Sequence, residues 1–190
     1  MNIENKTILI TGANRGIRRA LVAEALRRGA KKVYAGTRSA LQVTDERVTP
    51  VTLDVTNISQ IQQAVEKIGT LDVLINNAGI AIYDDLSNFE VIEKHLAVNF
   101  LGLLRVTHAF LPALKRSQGA IVNNLSMVGL AALPVIPSYS ISKSAAFNMT
   151  LPQSAVSPPR RKCSRCGAWP GRHRHEPRLR DTQGLAGVRC

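Results

Sequence analysis

No cysteine occurs before Cys163, the only tryptophan is Trp169, and aromatic residues make up just 4% of the chain. A disulfide framework is therefore excluded for most of the molecule, and a core has to come from aliphatic packing. No uninterrupted apolar stretch approaches the ~20 residues of a membrane span. Met1 to Lys6 (M-N-I-E-N-K) lacks the apolar segment of a secretory signal. The expected location is accordingly cytoplasmic and reducing, with no membrane partner. No internal repeat is evident. What is present is 190 residues, 45% of them hydrophobic, enough for one α/β domain with a sizeable core.

The net charge of +12 is unevenly spread. Residues 1–150 carry 16 Lys and Arg against 11 Asp and Glu, whereas 151–190 carry nine against two. All three cysteines, the tryptophan and five of the nine prolines also fall after residue 150. No helical or strand period runs through that part. The sequence thus divides into 1–150, a nucleotide-binding domain on the motifs below, and 151–190, a basic irregular tail.

Within the first part, apolar runs alternate with helical patterns. Lys6 to Thr11 reads as a strand stopped by Gly12, followed by a helix from Gly16 to Arg28 with Ile17, Ala20, Leu21 and Ala25 on one face. Further strands are expected at 33–37, 51–55, 71–76 and 120–126. Helices are expected at 58–67, capped by Asn57, at 87–98, at 100–116, and around Tyr139 and Lys143. Pro152 and then Pro158-Pro159 should stop that last helix. Strands that are nearly continuously apolar and alternate with helices imply a doubly wound parallel sheet covered on both faces.

Three patterns carry chemistry. T-G-A-N-R-G at 11–16 joins a strand to a helix, where backbone N–H groups and the helix N-terminus receive a phosphate; a glycine-rich turn also serves simply to close a βα corner. The second strand ends Gly36-Thr37-Arg38, with no carboxylate to accept a ribose 2′-hydroxyl. A cation there suits a 2′-phosphate. Ser126 ends a strand, and Tyr139 and Lys143 stand one helical turn apart on one face. A phenol beside an ammonium and a hydroxyl is an acid placed to protonate a developing oxyanion.

With N-N-A-G at 76–79 and Asn99 added, the ordered set resembles the short-chain dehydrogenase/reductase family. The resemblance covers residues 6–150 and implies a Rossmann-like sheet and hydride transfer between NADP(H) and a carbonyl or alcohol. It implies Asn99, Ser126, Tyr139 and Lys143 as catalytic residues, with Asn99 holding a water in the proton relay. For the cofactor it implies Gly12, Asn14, Arg15, Gly16, Ile17, Arg38, Asp54, Val55, Asn77, Ala78, Gly79, Tyr139 and Lys143. Arg15 and Arg38 favour NADP(H) over NAD(H). Asp54 reads equally as a cap at a strand end. Arg18 stands where the family has its third glycine, a departure that puts cofactor affinity in question.

The family's sixth and seventh strands are not legible in 151–190. Shifted by one base, a codon set permitted for Gly171 to Pro177 encodes V-D-T-D-M-S, and Ala168 to Pro170 permits P-G-P before it. This resembles the family's Pro-Gly segment, so the tail reads as frame-shifted, and little turnover is expected of the chain with it. Family oligomers pair the helices that begin here near Asn99 and Ser138, an association that a shortened second helix weakens. Apolar residues 128–137 suit either an apolar substrate or core packing. Cys163 and Cys166 with His173 and His175 lack the spacing of a zinc module, so no metal is expected. His95 and His108 read as structural. The competing classes are a nucleotide-binding fragment without catalysis and a nucleic-acid binder using the basic tail, the latter without interleaved aromatics or a recognition helix.

Overall fold

The structure, a computed structural model, describes residues 2–13 and 17–155, with side chains described for all of these except 17–19 and 151–155. Five strands form one parallel sheet: β1 (Thr7–Thr11), β2 (Lys32–Thr37), β3 (Val48–Thr52), β4 (Val73–Asn76) and β5 (Ala120–Asn123), in the order β3-β2-β1-β4-β5. The helices are α1 (Ile17–Arg27), α2 (Ile58–Ile68), α3 (Phe89–His95), α4 (Leu103–Ser117) and α5 (Pro137–Ala155). Successive residues of a strand point to opposite faces. Leu9 therefore packs with Leu74, Ile61, Val106 and Phe110 on one face, and Ile8 and Ile10 with Val33, Ala35 and Ala25 on the other. Ile8, Leu9 and Ile10 are all fully buried, as in a sheet sandwiched between helix layers.

The predicted topology holds, and the differences are instructive. The third strand lies at 48–52 rather than 51–55, with Pro50 in its middle. Proline is tolerated there because, among the described residues, β3 is an edge strand paired only with β2, so the missing N–H leaves no gap in a ladder. Strand β5 ends at Asn123, short of Ser126. Asn57 caps α2 as expected, its Oδ1 accepting from the Gln60 N–H at 3.1 Å. Helix α5 passes through Pro152 to Ala155 instead of stopping at it.

The two helices expected at 87–98 and 100–116 are one, joined by a π-helical segment, Leu96–Gly102. The combined helix, Phe89–Ser117, has 29 residues and a mean hydropathy of 1.4 in its most apolar window, long and apolar enough to cross a membrane by length and composition. Its buried His95, Asn99 and Thr107 find their hydrogen bonds within the protein. Residues 156–190, which include the proposed tail cysteines and histidines, lie outside the described residues.

Candidate active site

All five strands point their carboxyl ends the same way, and the loops leaving those ends carry the polar groups. After β1, Gly12 has φ +67°, and a Cβ built on it would lie 2.9 Å from the Ala78 Cα. Only glycine accepts both the backbone angle and that approach. The Thr11 hydroxyl accepts from the backbone N–H groups of Asn77 and Ala78, each at 3.0 Å, and Asn77 Nδ2 donates to the Thr11 carbonyl at 3.0 Å. The N-N-A-G run is thereby fastened against the glycine turn. Asn14, Arg15 and Gly16 lie outside the described residues, as do the side chains of Ile17 and Arg18.

Beside this turn runs a groove of about 360 Å³, lined among others by Gly12, Arg38, Asp54, Val55, Ala78 and Gly79. Six sequence-predicted positions thus meet at one cavity. Burial raises the Asp54 pKa, but hydrogen bonds from the Thr56 hydroxyl and N–H and the nearby Arg38 charge outweigh it, leaving the carboxyl below its ordinary value. Asp54 therefore caps the turn into α2 and lines the groove at once.

The second cluster gathers around α5. Lys143 is 6% exposed; its Nζ donates to the Asn124 carbonyl at 2.9 Å and lies 5.7 Å from the centre of the Tyr139 ring. Asn99, in the π segment, uses both ends of its amide on one residue. Its Oδ1 accepts from the Ile80 N–H at 2.8 Å and its Nδ2 donates to the Ile80 carbonyl at 2.9 Å. Nδ2 also donates to the Ser142 hydroxyl at 3.0 Å. Gly79 fits between these groups, since a Cβ on it would sit 3.2 Å from Asn99 Oδ1 and 3.9 Å from Lys143 Nζ. Ser126 is half-buried in extended backbone and leads into a turn of 3-10 helix at Met127–Gly129. That turn is locked to α5, because the Ser144 hydroxyl donates to the Gly129 carbonyl at 2.7 Å.

Several contributors were not singled out from the sequence. Asn124 Nδ2 donates to Asn77 Oδ1 at 2.9 Å, so a chain of hydrogen bonds runs from Lys143 through Asn124 and Asn77 to Thr11. Next to it, Asn76 Nδ2 donates to Asn123 Oδ1 and to the Thr107 hydroxyl, both at 2.9 Å, and Asn123 Nδ2 donates to the Thr150 hydroxyl. A signal existed: Asn-Asn pairs end two strands, although asparagine is disfavoured in strands. In register, Asn76 lies opposite Asn123. Among the described residues no group of three or more His, Cys, Asp or Glu could hold a metal.

Residues 6–155 match the short chain dehydrogenase family model. The chain belongs to this family. It is 33% identical over 162 residues to 11-beta-hydroxysteroid dehydrogenase-like 4A of Arabidopsis thaliana, covering 77% of this chain and 54% of that protein. It is 32% identical over 160 residues to estradiol 17-beta-dehydrogenase 2 of Mus musculus, covering 75% and 42%. The chain thus spans about half the length of the curated relatives it matches. Among solved structures, a short chain dehydrogenase from Burkholderia cenocepacia in complex with NADP superposes with a TM-score of 0.79 at 40% identity, covering 82% of this chain and 68% of that one. ElxO with NADP bound gives 0.70 at 29% identity, covering 76% and 65%. The family is one of dehydrogenases, and both of these neighbouring structures hold NADP.

Proposed function

We propose that the groove binds NADP(H) in preference to NAD(H), and that Tyr139, Lys143 and Ser126 interconvert a carbonyl and an alcohol beside it. The observation that carries the reading is the convergence of Gly12, Arg38, Asp54, Ala78 and Gly79 on one groove, with Asn99 and Lys143 packed around Gly79. The lining suits a dinucleotide: Gly12, Ala78 and Gly79 bring backbone and small residues to it, and among the described lining residues the one acidic side chain, Asp54, has its Oδ1 taken by the Thr56 N–H and hydroxyl. Arg38, at the end of β2, is the cation for a 2′-phosphate.

When bound, the cofactor supplies or accepts the hydride. The Tyr139 phenol gives its proton to the carbonyl oxygen in reduction and takes it back in oxidation. Lys143 holds positive charge near that phenol, which favours phenolate when the proton has left. The Ser126 hydroxyl donates to the same oxygen and stabilises the charge that develops there. Asn99 contributes by holding Ile80, and with it one wall of the groove, in place. The apolar stretch 128–137, with Leu130 and Val135 well exposed, favours an apolar substrate.

The test is a fluorescence titration of the full chain with NADPH and NADH. NADPH is expected to bind roughly tenfold tighter, about 1.4 kcal/mol, and Arg38→Asp should remove that margin. Equal or tighter binding of NADH overturns the cofactor assignment. A second reading is nucleotide binding without turnover. Tight NADPH binding with no oxidation of it by a panel of apolar ketones would support that reading.

A further inference from the structure

His95 is fully buried and uses both ring nitrogens. Nδ1 lies 2.8 Å from the Val91 carbonyl, which can only accept, so Nδ1 carries the proton. Nε2 is left as an acceptor, and it takes the Ile82 N–H at 3.1 Å. The ring also meets Tyr139 edge-on, with centroids 6.2 Å apart and planes at 63°. Four residues along the same helix, Asn99 grips Ile80. Two side chains of the α3–π segment therefore hold alternate residues of the loop that leaves β4, and Ile80 lines the nucleotide groove. A core-filling residue would need neither bond: a phenylalanine fills the same space without an acceptor.

We propose that His95 is a positioning residue that fixes the Ile80–Ile82 wall of the groove through Nε2 and seats the Tyr139 ring through its edge. The proposal rests on the reading of Tyr139 as the proton donor and of the groove as the cofactor site. Two variants separate the contacts. His95→Gln places an amide oxygen where Nε2 accepts but removes the ring, whereas His95→Phe keeps a ring and removes the acceptor.

Both are made in the full chain and compared by amide hydrogen exchange at Ile80–Ile82, by the aromatic proton resonances of Tyr139 (assigned with Tyr139→Phe), and by NADPH titration. His95→Phe should speed exchange at Ile82 roughly tenfold, because the local opening that its hydrogen bond opposes becomes easier. It should weaken NADPH roughly fivefold, since a looser wall is less preorganised. His95→Gln should keep both within about twofold of the parent, the acceptor being restored, while the Tyr139 resonances shift because the neighbouring ring is gone. Equal exchange in the two variants, or Tyr139 resonances unmoved by His95→Gln, overturns the proposal. Failure of the parent chain to bind NADPH would instead overturn the cofactor reading, and exchange and resonances would still decide the role of His95.

Discussion

At the groove, Gly12, Ala78 and Gly79 present backbone, and Arg38 an exposed cation; at the proposed proton-transfer cluster, His95, Asn99 and Lys143 are buried polar side chains on helices, each hydrogen-bonded within the protein. The difference matches the roles proposed for the two regions. A long, charged ligand is received by N–H groups and cations that remain accessible, and close approach is secured by the absence of side chains. A proton donor must be held in one geometry, which buried and fully satisfied polar groups accomplish because any displacement leaves one unpaired. The groove should therefore be sensitive to added bulk and the cluster to lost partners.

The largest expected effect tests the cluster through its chemistry. In a chain whose reading frame after Thr150 is restored, Tyr139→Phe keeps the ring against His95 and removes only the hydroxyl, so carbonyl reduction should fall about 10²–10⁴-fold while NADPH affinity stays within about twofold. Steady-state rates and a parallel titration measure it; retention of most activity would take the proton transfer away from this residue. Next in size is Gly12→Val. The positive φ alone costs about 1–3 kcal/mol, and the approach to Ala78 adds to it, so denaturant unfolding should show that loss together with the end of nucleotide binding. An unchanged affinity would mean that the groove is not a backbone site.

The smallest expected effect sharpens the contrast. Asn124→Leu leaves Asn77 Oδ1 without its donor and loosens the carbonyl that Lys143 holds. Because Asn124 is itself exposed and water can reach the site, a cost of about 1 kcal/mol is expected, at the low end for an unpaired buried acceptor. Turnover should fall more than NADPH affinity does. A reversed ratio would place the amide chain with the groove rather than with the cluster.

Much of this was legible one residue at a time. The strand that leads into Gly12, the cap at Asn57, the cation after β2 and the spacing of Tyr139 and Lys143 are local patterns, and the structure keeps each of them. Where local patterns misled, a neighbour elsewhere in the fold decided. Pro50 argues against a strand until β3 is known to be an edge, and the join between α3 and α4 is invisible while a single helical period is imposed on both. His95 read only as structural because two of its partners cannot be read from composition: the Ile82 N–H belongs to a loop and the Tyr139 ring to another helix.

The alternation of strands and helices, the positions of the tight turns and the chemical groups that leave each strand end are local, because hydrophobic period, glycine and capping residues act on their nearest neighbours. Which of those groups meet is set by packing across the chain. Asn124 reaches Asn77 across 47 residues of chain, and a π-helical segment that starts just after His95, itself bonded to Ile82, carries Asn99 to Ile80. Such pairings depend on sheet register and helix phase, which are set when the two faces of the sheet are packed and are written in no single stretch of sequence.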